Sequence, residues 1–475
     1  MHSELATETL APEPDAPLVD RVLAPFRRFA RTASASGIVL LATTAIALGW
    51  ANSPWADSYH HLWKVTIGGT LGAASFRTTL HHAINDGLMA VFFFVVGLEI
   101  KRETIAGELA SVKTAALPMI AALGGMLVPA AIYAFTNAGG PGSPGWGVPM
   151  ATDIAFALGV LALLGNRVPT ALKVFLAALA IVDDIGAVLV IAVFYSSGVA
   201  WGPLAGAAGL LVLAIAFNRA GVRRPWTYGA IGLALWGTVL LSGIHATVAG
   251  VLLAFAIPVR TRVNEREFLA KARRALEAFD RAATVTAEDP NVTVLSNVEH
   301  HTSLEELETL CQLAQPPLIR LEHALHGIVA FGIMPLFALA NAGVTLDAAT
   351  LGSAMAHPVT LGAALGLLLG KPLGIAGFSW VAVRLGLAAL PRGASWAALS
   401  AVAVLGGIGF TMALFIAGLA FPAGSPRGEL LDAAKLGILG ASALAGIVGS
   451  FLLRRALRPA SSAPSEDPLH PPLRE

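Results

Sequence analysis

Residues 171–195 decide the fold: Ala171-Leu-Lys-Val-Phe-Leu-Ala-Ala-Leu-Ala-Ile-Val-Asp183-Asp184-Ile-Gly-Ala-Val-Leu-Val-Ile-Ala-Val-Phe-Tyr195. The run is apolar and exceeds the roughly 20 residues that a helix needs to cross a bilayer. Two adjacent carboxylates, Asp183 and Asp184, sit at its middle. One carboxylate at that depth costs roughly 2.5 to 3.5 kcal/mol on insertion scales, so a pair must face a watery or cation-binding interior rather than lipid. That is the signature of an ion or proton path.

The rest of the composition agrees. Hydrophobic residues make up 56% of the chain, charged residues 13%, and the mean hydropathy is +0.71. A soluble domain carries nearer a quarter of its residues charged, so this reads as an all-α polytopic membrane protein. Apolar runs of helical length are predicted at 33–51, 83–100, 115–136, 151–165, 171–195, 201–218, 226–241, 244–258, 324–343, 359–383, 397–420 and 431–453. About twelve spans result. Lone Cys311 excludes a disulfide within the chain, and the first apolar run follows an acidic, Pro-rich stretch, so no cleavable signal is expected.

Net charge of +1 says little about partners, but the placement of Lys and Arg sets a topology. Arg21, Arg27, Arg28 and Arg31 precede the first span; Lys101, Arg102 and Lys113 follow the second; Arg167 and Lys173 follow the fourth; Arg219, Arg223 and Arg224 follow the sixth. A segment rich in Arg, between Arg260 and Arg320, follows the eighth, with Arg384 and Arg392 after the tenth and Arg454, Arg455 and Arg458 at the end. The loops between are nearly bare. The positive-inside rule then puts these loops and both termini in the cytoplasm. The predicted order is a tail at 1–32, membrane segments at 33–258 and 318–456 around a cytoplasmic insertion at 259–317, and a tail at 457–475.

The insertion pairs an Arg-rich helical stretch, Glu265 to Ala283, with a second helix from Ser303, across a polar break around Asp289 to Asn297. An outer loop, Trp55 to Thr79, contains Val65-Thr-Ile-Gly-Gly-Thr-Leu71, which predicts a small β-hairpin with Gly at its turn and a surface for pairing with a second copy.

Two spans are interrupted. One reads Pro149-Met-Ala-Thr-Asp153-Ile-Ala-Phe-Ala-Leu-Gly159 and the other Gly406-Gly-Ile-Gly-Phe-Thr-Met-Ala-Leu-Phe-Ile416. Helix-breaking residues inside an apolar segment are tolerated only where protein or a water-filled cavity surrounds the freed backbone. They fall at matching places in two three-span units, 115–195 and 359–453, whose corresponding spans are an odd number of places apart, which predicts inverted repeats with discontinuous helices, a transporter design.

Several motifs carry a family resemblance: Ala151 to Gly165, Ala178-Leu-Ala-Ile-Val-Asp-Asp-Ile-Gly-Ala187, Ser242-Gly-Ile-His-Ala-Thr-Val-Ala-Gly250, Gly370-Lys-Pro-Leu-Gly374, Gly407-Ile-Gly-Phe-Thr-Met412, Phe92 to Glu103 and Arg320-Leu-Glu-His-Ala-Leu-His326. In this order, from about 33 to 455, they resemble the bacterial NhaA-type sodium/proton antiporters, a family that shares the inverted-repeat design. The resemblance implies twelve spans, a homodimer joined partly through the outer hairpin, location in the bacterial inner membrane, and electrogenic exchange of sodium or lithium for protons. It implies no cofactor, no nucleic acid and no required protein partner beyond the bilayer and a second copy. Two departures concern regulation: the 259–317 insertion is longer than in the best-known members, and His326-Gly-Ile-Val replaces His-Pro-Trp-Val.

The residues themselves fit such chemistry. Sodium is a hard cation that takes oxygen ligands, and a carboxylate pair holds either a cation or protons, so the two ions compete for one site. The resemblance makes Asp184 the main cation ligand and Asp183 the proton-linked partner, with Thr152 and Asp153 as contributors. Lys371, inside the tenth span, is the natural counter-ion; a buried Lys either titrates or pairs, and the family implies pairing with Asp183. Asp86 reads either as an outer-funnel residue or as a helix N-cap. His245, placed just inside the eighth span, reads as a core histidine or, by resemblance, as part of the pH response. Glu99, Lys101, Arg102 and Glu103 read as a solvated helix end; with Glu322, His323 and His326 they also resemble the family's cytoplasmic pH sensor.

Other classes fit less well. An intramembrane aspartyl protease needs Tyr-Asp and Gly-x-Gly-Asp motifs, which this sequence lacks, so no enzyme is expected. A channel needs a pore-lining ring or filter rather than one midplane site in broken helices. A sodium-coupled carrier of an organic solute is the alternative, but the spans supply few donors for such a ligand.

Overall fold

The computed structural model describes residues 35–457, apart from 72–73, 197, 262, 289–297, 346–347 and 423–424. The tail through residue 34 with its four arginines, Arg458 and the C-terminal tail, and the polar break of the insertion lie outside the described residues.

Helices dominate. In chain order they begin with α1 (Ala35–Ala51) and α2 (Ala56–Lys64), then strands β1 (Thr66–Leu71) and β2 (Ala74–Thr79). Next come α3 (Leu80–Ala106), α4 (Val112–Thr136), a 3-10 segment (Ser143–Met150), α5 (Ile154–Leu163), α6 (Thr170–Phe194), α7 (Trp201–Arg219), α8 (Pro225–Leu241) and α9 (Thr247–Ala256). The insertion forms α10 (Glu265–Glu288) and α11 (Val298–Ala314). The chain continues with α12 (Pro317–Asn341), α13 (Ala348–Ala356), α14 (Pro358–Arg384), α15 (Trp396–Leu405), α16 (Phe410–Ala420) and α17 (Leu430–Ala456). Eight helices are long and apolar enough to cross a membrane, or up to ten if two bent pairs, α1 with α2 and α15 with α16, each count as one span.

The single described sheet is the predicted hairpin, with a different turn. β1 and β2 pair antiparallel from Thr66↔Thr79 to Leu71↔Ala74, so the connection lies at 72–73. Gly68 and Gly69 are not the turn; they sit within β1 opposite Arg77 and Phe76. A Gly-Gly pair signals a turn only when the flanking strands can pair across it, and here the longer ladder downstream sets the register.

Two compact units emerge, one containing the described parts of 1–61, 108–187 and 338–475, the other 62–107 and 188–337. In the first, α4 and α14 approach to backbone contact. A Cβ on Gly124 would run into the Gly374 carbonyl, and one on Gly370 would lie 2.6 Å from Pro129 Cα. Without a hydrophobic drive between helices in lipid, such small-residue contacts supply the packing. α17 serves as an uninterrupted support for α14, α15 and α16. In the second unit α3 and α9 pack as closely, with Gly97 against Ala254 and Gly250 against the Ala90 carbonyl, over a core of Leu98, Tyr228, Ala254, Ile257 and Leu318.

Two π-turns share one cause. Val329–Ile333 precedes Pro335, and Gly366–Gly370 precedes Lys371-Pro372. A proline inside a helix removes one N–H and crowds the carbonyl four residues back. Widening the preceding turn relieves that crowding, and the Met334 and Lys371 N–H groups bond five residues back, to Val329 and Gly366. A third π-turn, Ala83–Leu88, has no such proline, and nothing in the structure explains it.

The insertion is a helical hairpin. α10 packs on α11, the Phe279 and His300 rings lie 4.2 Å apart, and its two ends meet where Leu318 N–H donates to Pro258 O at 3.2 Å.

Candidate ion-binding site

Both interrupted spans break where the sequence places their Gly, Pro and Thr residues. The 3-10 segment ends at Met150, residues 151–153 are extended, and α5 starts at Ile154; α15 ends at Leu405 and α16 starts at Phe410. The two breaks meet, with Asp153 N–H donating to Ile408 O at 2.7 Å. Backbone groups freed by one interruption are thus satisfied by the other, as burial requires.

Asp153 organises this crossing. It is 1% exposed and caps α5, its Oδ1 accepting from Phe156 N–H at 3.0 Å. Its Oδ2 accepts from Thr411 N–H at 3.2 Å and from the Thr411 hydroxyl. One carboxylate therefore serves the N-termini of two half-helices. Each end carries partial positive charge from its unpaired N–H groups, and the anion offsets both.

Next to it stands the charged pair. Lys371 and Asp183 form an ion pair through Nζ and Oδ2, and neither side chain is exposed at all. Thr152, also fully buried, lies between them. Its hydroxyl accepts from Lys371 Nζ at 2.7 Å and stands 2.7 Å from Asp183 Oδ2 and 2.9 Å from Gly406 O. A hydroxyl has one proton, so those two oxygens compete for it. Asp183 Oδ1 is buried and has no hydrogen-bond partner among the described residues. Asp184 is 2% exposed; one residue further along α6, its side chain leaves the helix about 100° around from Asp183. Lys371 is within electrostatic reach of Asp184 as well. The site thus offers a sodium-sized cation carboxylate, hydroxyl and carbonyl oxygens, the ligand set hard cations take.

The remaining predicted residues fall in the second unit, in two groups. In the first, Asp86 lies in the π-turn of α3, its Oδ1 3.6 Å from His245 Nε2 and its carbonyl accepting from Trp236 Nε1 at 3.0 Å. Asp86 is not the N-cap of this helix; Thr79 is, accepting from His82 N–H at 3.2 Å. His245 precedes α9 rather than lying inside it, and its Nδ1 sits 2.9 Å from the Thr247 hydroxyl.

In the second group Arg102 pairs with Glu322, and with Glu103 at 3.0 Å. Glu99 Oε1 is 3.9 Å from His326 Nδ1, and His323 is exposed on the same helix as His326. Glu322 is 4% exposed, and its Oε2 has no hydrogen-bond partner among the described residues. Lys101 departs from a solvated helix end: it is buried and donates to Phe255 O at 2.7 Å and Ile257 O at 2.5 Å. A cation there meets the carbonyl end of α9, where the helix dipole favours it.

Sequence reasoning missed two partners of the crossing. Thr411 stands within a quoted motif yet was not placed at the site, and Ser442, on α17, accepts from Phe410 N–H at 3.0 Å. A Thr just after a Gly-rich break was the available signal for the first; one of two serines in a long apolar helix is a weak one for the second.

Fold and site together define a class: a multi-pass membrane transporter with charged groups buried where two broken helices cross. Residues 27–453 match the family described as Na+/H+ antiporter 1, and the chain belongs to that family. It is 49% identical over 450 residues to the Na(+)/H(+) antiporter NhaA of Koribacter versatilis (strain Ellin345), covering 95% of each chain. It is also 52% identical over 434 residues to the Na(+)/H(+) antiporter NhaA 2 of Syntrophotalea carbinolica, covering 91% of this chain and 96% of the relative. The NhaA 2 protein of Sorangium cellulosum is 52% identical over 445 residues, covering 93% and 92%. The protein is accordingly an antiporter and not an enzyme; the ions it carries are its substrates, and no cofactor takes part.

Proposed function

We propose that this protein exports sodium or lithium in electrogenic exchange for protons, and that Asp183 and Asp184 are the exchange site. The observation that carries this reading is the burial of both carboxylates beside the crossing of two interrupted helices, with Lys371 paired to Asp183. Protons and the cation compete for the same oxygens, so loading one releases the other. Asp184 is the main cation ligand, Asp183 the proton-linked partner, and Thr152 supplies a neutral oxygen. Asp153 holds the two half-helices together and balances their dipoles with Lys371. The experiment is sodium- or lithium-dependent loss of a proton gradient across everted vesicles.

We assign twelve crossings, adding α1, α8, α9 and the α15–α16 pair to the eight long helices, arranged as inverted repeats over 115–195 and 359–453. Lys and Arg placement puts both tails and the 259–317 insertion in the cytoplasm of a bacterium, with membrane segments at 33–258 and 318–456 in its inner membrane. On this topology Asp86 and His245 line the outer side.

Glu99, Glu103, Glu322, His323 and His326 form a cytoplasmic pH sensor, in which Arg102 joins Glu103 to Glu322 and Glu99 lies beside His326, and to which His245 contributes from the outer side. Acids and histidines grouped at one membrane face are a common form of pH switch, and on this reading the acid form of the protein is the inactive arrangement. At saturating sodium the maximal rate of wild type should rise steeply with pH, and Glu322→Gln should move or flatten that curve. Coincident curves would reduce the group to a helix end. The hairpin joins two copies: deleting 65–76 should convert the purified dimer to monomer while transport persists, and loss of transport with the dimer intact would contradict that role.

A further inference from the structure

The crossing of the interrupted helices has a third anchor that the charged residues do not account for. Phe410 is the first residue of α16, and its N–H, one of those a helix start leaves unpaired, goes to Ser442 Oγ at 3.0 Å. Ser442 is 3% exposed and belongs to uninterrupted α17. The same face of α17 reaches the break itself, since a Cβ on Gly446 would lie 3.8 Å from Ile408 Cδ1 and 3.9 Å from Phe156 Cε1. Ile408 is the residue whose carbonyl takes the Asp153 N–H.

We propose that Ser442 is a positioning residue for ion exchange, holding the start of α16 to α17 so that the Asp153 carboxylate can serve both half-helices and Thr152 stays beside Asp183. This inference rests on the proposed exchange site. The line of contact is short. Ser442 fixes Phe410; the next residue, Thr411, is held by Asp153; Asp153 is joined to Thr152, whose hydroxyl lies 2.7 Å from Asp183 Oδ2. A hydroxyl suits the position because it accepts without charge. A carboxylate would place a second anion near Asp153, and an alanine would leave a buried N–H without an acceptor.

The test compares wild type, Ser442→Ala and Ser442→Thr as full-length protein reconstituted in vesicles, with the folded amount read by gel filtration. Ser442→Ala should raise the sodium KM by between about threefold and tenfold, the scale of one buried hydrogen bond. Its maximal rate per folded protein should stay close to wild type, and Ser442→Thr, which keeps the hydroxyl, should restore the KM. A merely structural serine would lower the folded yield and leave the KM of the folded fraction unchanged, which overturns the proposal. If threonine does not fold, Ser442→Cys, a weak acceptor, should give a KM between those of serine and alanine. An unchanged KM in Ser442→Ala beside an active wild type condemns only this inference, whereas an inactive wild type condemns the exchange reading on which it stands.

Discussion

Asp184→Asn should abolish sodium-dependent proton movement while leaving the protein folded. The amide has nearly the carboxylate's shape, so it opens no cavity at a position that is 2% exposed. It removes the charge that both ions require. Burying a neutral amide in a membrane helix is also easier than burying an anion, so thermal stability should hold or rise. Exchange should fall to the background of vesicles lacking the protein, with the gel-filtration profile unchanged. Retained exchange would remove Asp184 from the site.

Lys371 should separate a structural from a chemical role. Its ammonium is the described cation paired with Asp183, and both side chains are fully enclosed. Lys371→Ala strands a buried carboxylate, and breaking such a pair costs about 3 to 5 kcal/mol. The melting temperature should drop accordingly. Lys371→Arg keeps the charge, so it should retain most of the stability and much of the activity, although the broader guanidinium cannot reproduce the single contact to Thr152. Equal stability of Lys371→Ala and wild type would dismiss the pairing as a source of stability.

The apolar runs were legible because a bilayer demands length and apolarity, and α3, α4, α6, α7, α12, α14 and α17 each coincide with a predicted run to within several residues. Both interruptions were legible too, since Gly, Pro and Thr in an apolar segment cost backbone bonds that must be recovered elsewhere. Where they are recovered was not. Asp153 and Thr411 are 258 residues apart, and no local pattern says that one carboxylate caps two helices. The hairpin was visible as a strand-forming string, but its register depends on the partner strand, and so the turn was misplaced. Lys101 read as solvated because charges cluster at that helix end; the long aliphatic stem lets it turn inward to the carbonyls of α9. The π-turns were latent in Met334-Pro335 and Lys371-Pro372, where the proline rule gives a distortion but not its form.

The central claim is that one buried site takes either a cation or protons. It is tested most directly by the sodium dependence of proton-gradient loss in everted vesicles at a series of pH values, with lithium and potassium alongside. Sodium and lithium should collapse the gradient and potassium should not. The apparent sodium KM should rise toward acid pH by about tenfold per unit for each competing proton, as mass action at a shared site requires. A sodium KM independent of pH, or a gradient that potassium dissipates equally well, would contradict it.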